Sequence, residues 1–383
     1  MKKTDTEKPS KFGKAISIAC ILTNLSQLPS IVNLSITKMF SVPVWIIIAA
    51  ICVMKRKKLD MYETRGFWIL LYLFFVYIIV GSFFNYTYLN SKLNYQIFMA
   101  GFILLVGLMA GKFLRKCDFN LMCGAYIISG MIVCINVFTT YLMRADLQTT
   151  FYAYGSKNSV SQIILTVLIL ILYKKLPTTQ RVKKGFFIGC FIFTIITLFG
   201  LKSRAAFVGL ALAAIWGAVH GRISPRVKKI ILLCCAICVI LMLNENIRSY
   251  FVKYILYAGR ESTSMNSLTS GRSDEWKAFF SDWEDNWLFG MGATKRESLI
   301  LTALLVFGVV GGVPVLLMSV YPLIWGLRRL KGDEEYMTFT SIAMVYWVNS
   351  FFEQQAPFGP GAKCYLLWLM FGILSVQRKE CNR

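Results

Sequence analysis

Gly66-Phe-Trp-Ile-Leu-Leu-Tyr-Leu-Phe-Phe-Val-Tyr-Ile-Ile-Val-Gly-Ser-Phe-Phe84 carries no charged side chain. As an α-helix rising 1.5 Å per residue it extends about 28 Å, close to the roughly 30 Å hydrocarbon core of a bilayer. Runs of the same character recur at 15–31, 42–54, 95–114, 120–142, 160–173, 185–199, 205–219, 229–243, 298–325, 336–351 and 365–376, separated by polar junctions. The pattern predicts an all-α, polytopic integral membrane protein with about twelve transmembrane helices. Composition agrees: 56% of residues are hydrophobic, 16% are charged and the mean hydropathy is +0.58, too little polar surface to coat a water-soluble core.

The formal net charge is +23, from 42 Lys and Arg against 19 Asp and Glu. In a soluble chain that excess would point to nucleic acid; here the basic residues cluster between apolar runs, and topology accounts for them without a nucleic-acid partner. Every second junction is basic: Lys55 to Lys58; Lys112, Arg115 and Lys116; Lys174 to Lys184; Arg222 to Lys229; Arg328 to Lys331; Arg378 to Arg383. The alternate junctions carry scattered basic residues. By the positive-inside bias both termini are expected in the cytoplasm, with an even number of spans. The basic start leads into a run interrupted by Asn24, Gln27 and Pro29, read as a retained first span rather than a cleaved signal.

One junction differs in kind. Residues 244–296 hold acidic and basic groups in near balance, with Trp276, Phe279, Phe280, Trp283 and Trp287 near a helical period. The alternation places this stretch outside the cytoplasm as a loop subdomain between the ninth and tenth spans of a single membrane domain. Its expected form is an amphipathic helix lying over the embedded part, as opposed to a disordered loop.

Several chemistries have no foothold. There is no phosphate-binding Walker loop, no dinucleotide-binding glycine fingerprint and no HExxH, and no cofactor or metal is called for. Cys234, Cys235 and Cys238 contain a CxxC spacing, but inside an apolar run, where small lipophilic filling is the commoner use. The lone histidine, His220, opens a cytoplasm-facing loop.

What remains is a set of cations on the outer side. Lys202 and Arg204 lie in Phe199-Gly-Leu-Lys-Ser-Arg-Ala-Ala206, at the mouth of two tightly connected spans, where a helix N-terminus favours an anion. The plain alternative is an interfacial Arg reaching lipid phosphates. The long loop adds Arg260 and Arg272, the latter within Ser270-Gly-Arg-Ser-Asp-Glu-Trp276. A guanidinium fork grips phosphate oxygens in pairs, although a single loop Arg is more often solvated or ion-paired. Asn286-Trp-Leu-Phe-Gly-Met-Gly-Ala-Thr-Lys-Arg-Glu-Ser298 leads into the tenth span. There Glu297, beside Lys295 and Arg296, is either a helix-capping carboxylate or a general base.

These segments resemble the O-antigen polymerase and O-antigen ligase superfamily, bacterial glycosyltransferases acting on polyprenyl-diphosphate-linked glycans. The likeness rests on Lys202-Ser-Arg-Ala-Ala-Phe207, on Gly271-Arg-Ser-Asp-Glu-Trp276 followed by Asn286-Trp-Leu-Phe-Gly-Met-Gly292, and on Glu297 to Gly308 with Gly311 and Gly312. Tyr154-Gly-Ser-Lys-Asn158 is similar to a stretch holding a family Asn before the sixth span. The strict motifs cover less than a fifth of the chain; their order and the loop position give the combination its specificity.

The resemblance implies a metal-independent polymerase of O-antigen or capsule in the bacterial inner membrane, with its active site extracytoplasmic. It implies a donor and an acceptor that are both undecaprenyl-diphosphate-linked oligosaccharides, with membrane lipid, a chain-length regulator and a flippase as partners. It assigns Arg204, Arg272 and Glu297 to catalysis, and Lys202, Arg260, Lys157, Asn158, Lys295 and Arg296 to substrate binding. Family ligases carry a loop histidine where this chain has Glu297, which favours polymerase over ligase and leaves the base open. A lipid-oligosaccharide flippase is the main reading from another class; buried mid-span charges and repeated halves would mark it, and the sequence shows few such charges and no repeat. A non-catalytic membrane scaffold is a third.

Overall fold

The computed structural model describes residues 8–28, 30, 31, 34, 40–55, 59, 61–142, 157–175, 181–201, 203–220, 243–252, 272–292, 296–329, 333–359 and 364–381. Among these there is no strand. In chain order the helices are α1 (Lys11–Leu25), α2 (Val42–Met54), α3 (Arg65–Phe84), α4 (Lys92–Gly111), α5 (Lys116–Val137), α6 (Lys157–Leu170), α7 (Arg181–Gly200), α8 (Arg204–Val219), α9 (Glu245–Phe251), α10 (Arg272–Asn286), α11 (Leu299–Leu327), α12 (Glu334–Asn349) and α13 (Tyr365–Cys381). Five helical stretches, Tyr62–Phe84, Lys92–Gly111, Lys116–Thr140, Val182–Gly200 and Leu299–Leu327, are long and apolar enough to cross a membrane. The span expected at 229–243 lies outside the described residues, and the first helix runs Lys11–Leu25, earlier than the expected 15–31.

Local chemistry sets the boundaries. Ser10, Ser91, Ser298 and Asp333 each turn a side-chain oxygen onto a first-turn amide of the helix that follows, and Pro43 opens α2. Asp118 is fully buried because it has work to do at two helix starts: it accepts from the Ser10 amide (2.7 Å), the Ser10 hydroxyl (3.0 Å) and the Arg115 amide (3.0 Å). That carboxylate ties the beginning of α1 to the beginning of α5, and the two helices pack along their lengths.

Contacts gather the described basic junctions at one end of the bundle, the junction at 222–229 lying outside the described residues. There the Lys55 ammonium lies 4.5 and 4.8 Å from the Phe12 and Phe113 ring centres, Lys174 pairs with Glu334 at 3.1 Å, Arg329 pairs with Glu63, and Gln377 donates to the Leu114 carbonyl at 3.0 Å. The opposite end brings Ser30 onto Asn136, Ser161 onto Ser203 and Leu299 onto Ser350. The alternation read from charge is thus also an alternation in space.

Burial sorts the helices into two kinds. α3 leaves Ile69, Tyr72, Leu73, Phe75, Ile79 and Phe83 exposed, and α7 leaves Phe186, Ile192 and Ile196 exposed, an apolar outer surface of the kind hydrocarbon would cover. α6 and α13 are encased instead: Ile163, Val167 and Leu170 on one, and Leu366, Trp368, Phe371 and Leu374 on the other, are all buried. α13 seats against α4 through glycine. A Cβ on Gly372 would lie 2.5 Å from the Leu104 carbonyl oxygen, and one on Gly107 would lie 2.5 Å from that of Leu369, so the backbones meet with no side chain between them. Gly372→Val is expected to destabilise the protein by about 3 kcal/mol or more, because overpacking here pushes on backbone on both sides. Thermal melting in nanodiscs reads this directly; a wild-type melting curve would refute the close approach.

The tenth span departs from its expected continuous form. Gly308 has φ 60° and ψ −164°, which divides α11 into 299–307 and 309–327. The second part alone extends about 28 Å, enough for a bilayer core. The first folds back, so that a Cβ on Gly312 would lie 2.7 Å from the Ala303 carbonyl oxygen. Segment 287–292 fills the break. The Met291 and Gly292 amides donate to the Leu305 and Val306 carbonyls (2.7 and 3.1 Å), and the Val309 and Val310 amides donate to those of Trp287 and Leu288 (2.8 and 3.2 Å). The groups of two helical bonds lost at the break, 309 to 305 and 310 to 306, are satisfied instead by four bonds to the inserted segment, as an apolar setting requires. Tyr77 and Tyr88 fasten the insert, their hydroxyls donating to the Phe289 carbonyl at 2.6 and 2.7 Å.

Candidate functional site

Two junctions at the end opposite the basic one hold the described candidates. In the first, Lys157 and Asn158 are the opening residues of α6, and Arg204 is the opening residue of α8. Ser203, fully buried just before Arg204, meets the Ser161 hydroxyl at 3.0 Å, which fastens the two helix starts to one another. One residue on, the side-chain oxygen Oε1 of Gln162 accepts from the Cys364 thiol at 3.2 Å, linking this junction to the start of α13. The Gln162 Nε2 group is buried and has no partner. An orphaned amide donor of this kind costs about 1–3 kcal/mol, which a ligand oxygen would offset.

The second junction is built on α10. Its first residue is Arg272, and one turn later the Glu275 carboxylate accepts from the Glu297 backbone amide at 3.2 Å. Arg296 forms an ion pair with Asp282, and its carbonyl accepts from the Thr302 hydroxyl at 3.1 Å. Half-buried Arg296 therefore has a carboxylate partner inside the chain, and its Nε is a further orphan. Glu297 is exposed, and the residue that turns its side chain onto the first turn of α11 is Ser298, its hydroxyl accepting from the Ile300 amide at 3.2 Å.

The expected amphipathic helix is present as α10, resting through Phe279 and Trp283 on Leu301, Leu304 and Leu305 of the first part of α11. α12 lies between the two junctions. It packs on α8, and the Ser350 carbonyl at its end accepts from the Leu299 amide at 2.9 Å. Lys202, Arg260 and Lys295 lie outside the described residues. A groove of about 230 Å³ lined by Cys52, Val53, Leu59, Met109, Lys112 and Phe113 opens at the basic end and holds none of the candidates.

The sequence reading passed over Ser161 and Gln162 and gave Ser203 no role of its own. The signal was there: Ser161 and Gln162 sit within the expected span 160–173, and a polar pair inside an apolar run is itself a flag for a site. Comparison with known protein families and with curated proteins found no match.

Proposed function

We propose that this chain is a polysaccharide polymerase of the bacterial inner membrane, with about twelve spans, both termini cytoplasmic and the two junctions on the extracytoplasmic side. The observation that carries the reading is the joining of the α6 and α8 starts through Ser161 and Ser203, with the orphaned Gln162 amide one residue from Ser161; Lys157 and Asn158 open the first of these helices and Arg204 the second. In the proposed reaction an acceptor hydroxyl oxygen attacks the anomeric carbon of the donor glycan. The bond from that carbon to the diphosphate breaks, its electron pair leaves with undecaprenyl diphosphate, and the hydroxyl proton passes to Glu297. Arg204 and Arg272 meet the developing charge, and preorganised cations in a poorly hydrated site are effective at that task. Glu297 is exposed, as an acceptor-side base needs to be.

The broken α11 favours a second reading, because discontinuous helices at sites are common in transporters of lipid and solute. Purified protein in nanodiscs, supplied with the lipid-linked glycan from a strain lacking the chain, separates the two. A ladder of longer lipid-linked glycans is expected. Reconstituted protein that moves the glycan across a bilayer but lengthens nothing would replace the polymerase with a flippase.

A further inference from the structure

Along α10 the residues at four-residue intervals from Arg272 are Trp276, Phe280 and Glu284, one ridge of the helix. Trp276 is 42% exposed and Phe280 62%, against 4% for Phe279 on the docked face. The Trp276 and Phe280 ring centres are 6.2 Å apart with their planes 37° from parallel, forming a continuous shelf. We propose that this ridge is a saccharide-binding platform for the glycan, an inference that rests on the polymerase reading above.

Charge selects the occupant. α10 carries the carboxylates Asp274, Glu275, Asp282, Glu284 and Asp285 against the cations Arg272 and Lys277. Helices that lie on lipid headgroups are rich in Lys and Arg on the polar face, so this one is the wrong sign for a phospholipid surface. Nucleic acid is excluded on the same ground. A neutral polyol fits both features: its C–H faces pack on aromatic rings, and its hydroxyls donate to carboxylates such as Glu284. The shelf is also held still. Asp282 and Glu275, on the other flank of α10, engage Arg296 and the Glu297 amide, so little ordering remains to be done on binding. Arg272 heads the same ridge one turn before Trp276, so a glycan whose diphosphate is met at Arg272 has its sugars running over the two rings. A glycan of this kind meets the chain at several points beyond the reacting bond, which is where selectivity for a repeat unit would reside.

The test uses the full chain in nanodiscs, titrated with the oligosaccharide that mild acid releases from lipid-linked glycan of a deletion strain. Trp276→Ala and Phe280→Ala are each expected to weaken binding on the order of tenfold, with Trp276→Phe keeping most of the affinity. A double Ala variant with unchanged helix content and wild-type affinity overturns the platform. So does Trp276-dependent fluorescence that brominated lipid tails quench and aqueous iodide does not, since the ridge would then be a membrane anchor. A deletion strain that makes polymer of normal length overturns the polymerase and the platform together, whereas either of the other two results removes the platform alone.

Discussion

Cells in which the chain carries Arg204→Ala or Arg272→Ala should accumulate unpolymerised lipid-linked glycan while inserting normal amounts of the protein. In the proposed reaction a diphosphate departing from an anomeric carbon concentrates negative charge, and scarce water at the proposed site does not disperse it. Removing one preorganised donor from such a site costs on the order of a hundredfold in rate, enough to erase a polymer ladder. Both arginines open a helix, α8 and α10 respectively, where backbone amides add to the positive field. Arg204→Lys keeps the charge and loses the planar fork, so near-normal ladders from that variant would show that a point charge suffices. Wild-type ladder lengths from either Ala variant would remove these residues from the mechanism.

Gly308→Val should leave almost no folded protein. At φ 60° and ψ −164° a β-branched residue is strained by about 1–3 kcal/mol. A Cβ there also collides with the Leu288 carbonyl oxygen, and one on Gly290 collides with the Gly308 amide. Separating these segments breaks four backbone hydrogen bonds. Together the losses approach the 5–15 kcal/mol by which a typical domain is stable. Gly185→Val is the control, since nothing lies within 4 Å of a Cβ at that position. Equal expression and melting of the two variants would show that the insert is not what holds α11 together.

The segments Asn286 to Gly292 and Glu297 to Gly308, on which the resemblance was read, meet in the folded chain. The two glycine-bearing segments are the two halves of one interlock, each supplying the positive φ and the bare backbone that the other's approach demands. Read along the chain they look like separate motifs.

Much of the architecture was legible because the bilayer is a severe solvent. Apolar length alone placed α2 at Val42–Met54, and the spacing of lysines and arginines anticipated which helix ends share a side. The composition of 272–286 announced an amphipathic helix. Other matters only the packed structure decided. α3 and α6 read alike as apolar runs, yet one is largely exposed and the other enclosed, because lipid and protein interior are equally apolar and hydropathy does not tell them apart. Arg296, which the resemblance assigns to substrate binding, forms an ion pair with Asp282, fourteen residues earlier, a partner that the spacing does not announce. The run from Ser298 to Trp325 read as one span because a break in backbone direction leaves no trace in hydropathy. Solvent acts on each residue separately and so is written in the sequence; partners are chosen among residues distant along the chain, and that choice exists only once the chain has folded.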